Sequence, residues 1–333
     1  MKKILVIRFS SIGDIVLTSP IIRALKTQLG CELHILTKQK FSFLFANNPY
    51  VDQVHLLKDS ITEVLPALKA ENFDFVVDLQ KNLRSYRVKK VLGKPSASFP
   101  KLNKQKWLLV NFKINRLPDI HIVDRYFKAV ESLGVTNDLK GLDYFIPKSV
   151  VVDPLSVHPD LSDRYVAIAI GGQHTTKIMP VEKLVAVIEK INLSVVILGD
   201  QSDSIRGEEV IKQLNRTDVF NMCGKYTLDQ SASLIQQAAA VISNDTGLMH
   251  IAAAFQKPLV SVWGNTVPAF GMYPYMPDTP ELSVIAEVDG LKCRPCSKLG
   301  YKKCPKKHFK CMMLQDEEFI AENILRLIDR KTN

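Results

Sequence analysis

Short apolar runs alternate with helical patterns along this chain, and the alternation starts twice. That pattern constrains the fold more than any other feature. In the first half, strands are expected over 2–9, 32–37, 53–57 and 73–80. Helices are expected over 14–29, 60–71, 82–92 and 122–133, the last stopped by Gly134. The stretch 150–164 carries Pro154, Pro159 and several Asp, and reads as a linker. The pattern then restarts, with strands over 165–171, 194–199, 219–223, 240–244 and 258–263. Between and after them come helices over 180–191, 228–239, 246–255 and 317–330. Apolar strands joined by helices predict a parallel sheet covered on both faces. The expectation is therefore an α/β chain of two doubly wound, Rossmann-like domains, 1–155 and 156–333. In such folds ligands bind beyond the carboxyl ends of strands.

The 333 residues suit two units of about 150 each. The apolar start after Lys3 is interrupted by Arg8, too short a run for a signal peptide and better read as a strand. No uncharged apolar run approaches the roughly 18 residues of a spanning helix. A cytoplasmic protein is expected on these grounds. The formal charge is +10, unevenly placed. Residues 79–118 hold eleven Lys or Arg and no acid, and residues 290–315 hold eight and no acid. Such stretches suit phosphate-bearing partners or an anionic leaflet, beside the plain reading of a solvated basic face.

Three strand-to-helix junctions carry candidate chemistry. Ser10-Ser11-Ile12-Gly13-Asp14 follows the first strand. Gly13 is expected to let the backbone turn tightly. Asp14 is either a helix cap or a general base. The second junction, Gly171-Gly172-Gln173-His174-Thr175-Thr176-Lys177, places glycines, hydroxyls and a lysine before a helix, a combination that suits phosphate. It is not a Walker loop, and no Gly-x-Gly-x-x-Gly fingerprint occurs. The third, Ser243-Asn244-Asp245-Thr246-Gly247-Leu248-Met249-His250, offers the amides of Thr246 and Gly247 to a diphosphate. His250 lies one turn beyond Thr246. The plainer readings are a cap for Asp245, a buried hydrogen-bonded histidine for His250, and close helix–sheet packing for the alanines that follow.

Ile7–Val16, Asp78-Leu79-Gln80 with Asn82–Ser85, Ser243–Ala254, Val262–Thr266 and the cysteine pattern from Cys293 to Cys311 resemble glycosyltransferase family 9, the ADP-heptose:lipopolysaccharide heptosyltransferases. The resemblance runs in order along nearly the whole chain. It implies a GT-B fold, two Rossmann-like domains facing across a cleft, with acceptor binding in the first and nucleotide-sugar binding in the second. It implies an inverting transfer of heptose from ADP-heptose to the lipopolysaccharide inner core. Asp14 would be the base, and Ser10, Gly13, Gln80 and Arg84 would meet the acceptor. Thr175, Thr176, Lys177, Asp245, Thr246, Gly247, Leu248 and His250 would hold the sugar nucleotide, with Lys225 and Leu228 near the nucleoside. The acceptor would be a phosphorylated glycolipid of the lipid A–Kdo type at the cytoplasmic face of the inner membrane. Two positions depart from the family pattern: Met179 where members often have Trp, and Asn265 where many have Pro.

No Asp-x-Asp occurs, which suits a transferase that needs no metal cofactor and relies on lysine and helix amides. Cys293, Cys296, Cys304 and Cys311 form a Cys-rich loop over 293–311, with His308 inside it, before a closing C-terminal helix. Four thiolates can close a tetrahedral zinc site; reduced, partly buried cysteines are the alternative. Cys31 and Cys223 read as core residues. Other readings are a transferase using a different nucleotide sugar for surface glycan synthesis, a GT-B-fold sugar-nucleotide epimerase, and a sugar-nucleotide-binding protein without catalysis. A specific nucleic-acid partner is not expected, because no helix-turn-helix, RNA-recognition or complete zinc-finger signature appears.

Overall fold

In the computed structural model every strand pairing within either sheet is parallel. The structure describes residues 1–159, 161 and 164–332; the rest of the expected linker, residues 160, 162 and 163, lies outside them. The strands are β1 (Lys3–Ile7), β2 (Glu32–Lys38), β3 (Gln53–Leu57), β4 (Phe75–Asp78), β5 (Ser96–Ser98), β6 (Tyr165–Ala169), β7 (Ser194–Leu198), β8 (Val219–Asn221), β9 (Ala240–Asn244), β10 (Leu259–Trp263) and β11 (Ser283–Glu287). The helices are α1 (Ile12–Val16), α2 (Ser19–Leu29), α3 (Ile61–Ala70), α4 (Leu83–Leu92), α5 (Asn103–Phe112), α6 (Ile122–Phe127), α7 (Val181–Glu189), α8 (Ser204–Gln213), α9 (Leu228–Gln237), α10 (Gly247–Ala254), α11 (Lys310–Met313) and α12 (Glu317–Thr332).

The chain divides into two compact units. One holds 1–102 and 120–145, the other 103–119 and 146–333. A single boundary at 155/156 was expected, and the difference has local causes. Residues 120–145 return to α2: Arg23 pairs with Asp138 at 2.8 Å and with Asp143, and Ser19 Oγ accepts from Asp143 N. Residues 103–119 are tied to the cysteine loop of the second unit. Lys113 Nζ donates to Pro295 O at 2.6 Å, and Lys106 sits over the Phe270 ring.

The first unit carries the order β3-β2-β1-β4-β5. Its central strand, Lys-Ile-Leu-Val-Ile, is buried from Ile4 to Ile7, as a parallel strand covered on both faces must be. The second unit carries β11-β10-β9-β6-β7-β8. Renumbered from β6, that is the 3-2-1-4-5-6 order of a dinucleotide-binding sheet. Its core joins β6, β7, β9 and β10 to α7 and α12. Both units are thus Rossmann-like, the pair of domains that defines the GT-B class. Each chain order reverses once, between β1 and β4 and between β6 and β9. In doubly wound sheets, switch points of this kind are where ligands bind.

The helix expected over 14–29 is two helices. Pro20 lacks an amide proton, and its ring crowds the carbonyl four residues back, so α1 stops at Val16 and α2 restarts at Ser19. The helix expected over 122–133 likewise shortens to α6, followed by a 3-10 turn that ends on Gly134.

Candidate functional site

The three loops singled out in the sequence lie at the two switch points, one in the first unit and two in the second. In the first unit the chain leaves β1 through Arg8 and Phe9 and enters α1 at Ser11. Asp14 is the third residue of that helix. Its Oδ2 accepts from Ser11 N at 3.2 Å and Ser11 Oγ at 2.9 Å, the returning half of a capping box. Its Oδ1 meets Arg8 Nη2 at 2.6 Å. Asp14 thus serves the helix start from its N3 position and is held in place by Arg8. Gly13 is a correction: it lies inside α1, buried, and is absent from the positive-φ positions, so the tight turn does not rest on it.

Arg8 carries no sequence-assigned role, yet it organises this corner. It is buried, and donates to Ser10 O at 2.9 Å, Leu79 O at 2.6 Å and the Tyr126 hydroxyl at 3.0 Å. Burial opposes its charge, but Asp14 and the Tyr126 phenol outweigh that and hold its pKa above the usual value. Burial pushes Tyr126 up to about 12. Gln80 is brought to the same place, its side-chain oxygen accepting from Phe9 N at 2.9 Å. Asp78, also without an assigned role, shapes the loop beside it. Its carboxylate accepts from the amides of Gln80 and Lys81 and from Ser85 Oγ, and pairs with Lys89 at 3.0 Å. Arg84 stands exposed in the first turn of α4, next to this corner along the chain.

In the second unit the two loops meet directly. Lys177 Nζ lies 2.5 Å from Asp245 Oδ2, which also accepts from Thr266 Oγ1 at 2.8 Å. Asp245 thus serves to hold Lys177 and Thr266. α10 begins at Gly247, and no side chain of Thr246 caps its first amides. A Cβ on Gly172 would stand 3.0 Å from Ile178 Cγ1, so the glycine leaves room for that side chain beside the loop. Leu248 is half-buried, and His250 is buried at 2% exposure. Thr175 is exposed and opens a 3-10 turn. Thr176 differs from it: it is buried, its hydroxyl donating to Asn265 Oδ1 at 3.0 Å and accepting from Tyr301 N at 2.8 Å. That hydroxyl already pins the cysteine loop. Asn265 therefore has a definite task, and its backbone oxygen also accepts from Cys296 N. Met179 is buried in the core, its amide on Asn244 Oδ1. Lys225 is exposed after β8, and Leu228 opens α9, two strands from β6.

The four cysteines and His308 line one cavity with Thr176 and Asn265. Cys293 Sγ lies 3.8 Å from His308 Nε2. Burial raises the pKa of Cys296, helped by the neighbouring thiols, and pushes Cys311 up to about 12. Among the described residues, only His34, His55 and Glu71 bring three ligand atoms within 4.8 Å of one another. Those three sit in the first unit. Lys3 already neutralises Glu71 and Glu32 at 2.8 and 3.1 Å, and His34 bridges His55 and Glu32.

A model of glycosyltransferase family 9 (heptosyltransferase) matches residues 61–301. The chain belongs to glycosyltransferase family 9. Lipopolysaccharide heptosyltransferase 1 of Campylobacter coli is 24% identical over 79% of this family 9 chain and 84% of its own length. Two solved structures share the fold. A family 9 glycosyltransferase from Veillonella parvula DSM 2008 superposes with a TM-score of 0.79 at 22% identity, covering 99% of this chain and 98% of that one. The ADP-heptose lipopolysaccharide heptosyltransferase II of E. coli gives 0.72 at 20% identity, with both chains fully covered. Within this glycosyltransferase, no described helix is long and apolar enough to cross a membrane.

Proposed function

We propose that this family 9 glycosyltransferase moves heptose from ADP-heptose to a phosphorylated lipopolysaccharide inner-core acceptor, with inversion and without a metal cofactor. The observation that carries the reading is the placement of both signature loops. Asp14 and Lys177 each stand just beyond the carboxyl end of the first strand of their unit, at its switch point.

The second unit takes the donor. Lys177 and the first amides of α10 supply a cation and a helix N-terminus to the diphosphate. The loop after β8 lies two interstrand steps from β6, about 10 Å at ordinary strand spacing. That span suits a nucleoside whose diphosphate rests at the β6/β9 switch point, so Lys225 and Leu228 are assigned to the adenosine end. The first unit takes the acceptor. Asp14 accepts the proton of the acceptor hydroxyl while its oxygen attacks the anomeric carbon. The bond from that carbon to the phosphate oxygen breaks, its electron pair leaves with ADP, and a single displacement inverts the centre. Charge develops on the departing diphosphate, where Lys177 and the amides are already fixed. Arg8 acts through Asp14 as a positioning residue. Ser10, Gln80 and the exposed Arg84 are assigned to the acceptor.

The cysteine cavity stands outside this chemistry. Zinc there is a structural proposal that requires the thiols to draw closer than they stand. Metal analysis of the purified chain tests it: one equivalent, lost on Cys293→Ser, would establish zinc, and a metal-free chain would establish the alternative of reduced, partly buried cysteines. The transfer itself is tested by the anomeric configuration of the product, read by NMR coupling constants. Inversion relative to the donor is expected. Retention, or sugar-nucleotide turnover that needs no acceptor, contradicts the reading.

A further inference from the structure

We infer that the second unit carries a membrane-docking face, built from α5 and the cysteine loop, that fits an anionic lipid surface. The inference deepens the reading above, in which the acceptor is a phosphorylated glycolipid, by naming the surface that meets the bilayer.

Two acid-free stretches, far apart in sequence, are joined here. Lys113, just past the end of α5, donates to Pro295 O, and Lys298 reaches Asn103 O at the start of the helix at 3.4 Å. The helix is therefore held along the loop at both ends. Within α5 only Leu109 is buried. Trp107 and Phe112 are 49% and 58% exposed and pack edge to face on one another at 5.2 Å. Ile114 is 46% exposed, and on the loop Leu299 and Tyr301 are 67% and 42% exposed. Every lysine from 292 to 310 is exposed, and neither 103–118 nor 290–315 contains an Asp or Glu.

Large apolar side chains left in water among lysines are costly for a surface with no partner. At a bilayer they match the interface. Trp and Tyr settle at headgroup depth, aliphatic tips enter the acyl boundary, and lysines stretch back to anionic headgroups. Each nearby cation adds its own attraction, which decays within a Debye length of about 8 Å at physiological salt. Single-stranded nucleic acid also takes lysines and aromatics, but it gains stacking only from rings. The aliphatic share of this face, Ile114 and Leu299, favours lipid.

The chain's two tryptophans make the test direct, because Trp263 is 1% exposed and Trp107 is open. The full chain is mixed with phosphatidylglycerol vesicles whose acyl chains are brominated, and tryptophan quenching and co-sedimentation are read. Binding with quenching of Trp107 is expected, falling about tenfold or more on phosphatidylcholine vesicles or in about 0.5 M salt. Trp107→Ser with Phe112→Ser, and separately Lys306→Glu with Lys307→Glu, are each expected to lower partitioning about tenfold or more while ADP affinity stays as in the native chain. Vesicle binding that leaves Trp107 unquenched, or that survives both double variants, overturns the assignment. So does preference for a single-stranded oligonucleotide over the vesicles. Vesicle binding by a chain that does not bind ADP would leave the docking face standing and remove the donor reading.

Discussion

Arg8 and Lys177 are each paired with a carboxylate at a switch point, yet they are expected to respond differently to mutation. Arg8 is buried and presents a planar fork to Asp14, Leu79 O and the Tyr126 hydroxyl. A lysine supplies one compact ammonium and cannot hold those partners together. Arg8→Lys should therefore lower kcat by about tenfold or more through misplacement of Asp14, with ADP affinity unchanged. Equal loss of ADP affinity would count against this positioning role. Lys177 lies in the donor unit, and its ammonium is the cation assigned to the diphosphate. Lys177→Ala should weaken ADP binding by about tenfold or more, since a charge-assisted hydrogen bond contributes about 1.5–3 kcal/mol. Isothermal titration separates the two variants. Both loops were legible in the sequence because each is a contiguous junction. Arg8 and Asp78 were not, because their partners lie about 70 residues away or on the far side of a loop. Thr176 read as a phosphate ligand from its neighbours, whereas its hydroxyl is engaged by Asn265 and Tyr301.

At the scale of elements, β2 and β3 carry a pH dependence. His55 is buried beside His34, and burial first, then the neighbouring imidazole, hold its pKa below the usual 6.5. Unfolding frees it to bind a proton, so the unfolded state holds more protons in the window below 6.5. Stability is then full above that pH and declines as pH falls through the native value. Thermal melts from pH 7 to 5 should show a falling Tm, with a flatter dependence in His55→Gln; parallel curves would contradict this. The elements that periodicity failed to reveal have physical reasons. α5 buries only Leu109 and shows no apolar stripe. α8 contains Gly207, which lowers helix propensity, and the glycine is required because a Cβ there would stand 2.3 Å from the Asn221 side chain. β5 is three residues long, and β11 is an edge strand only partly buried. The central strands, buried throughout, were the readable ones.

On the whole molecule, donor and acceptor fall to different units in the proposed function, and the chain passes between the units more than once because 103–119 belongs with the second. Hydrogen exchange with and without ADP checks that assignment. Protection is expected at 171–177, 225–228 and 245–250, and little change is expected at 8–14. Protection confined to the first unit would reverse the assignment. The central claim is acceptor-dependent transfer with Asp14 as the base. Its most direct test is ADP release from ADP-heptose, with and without a truncated lipopolysaccharide acceptor, in the native chain and in Asp14→Asn. Release only with acceptor is expected, with a fall of about 10²–10⁴-fold in the variant while ADP still binds. Release without acceptor, or an Asp14→Asn chain as active as the native one, would contradict it.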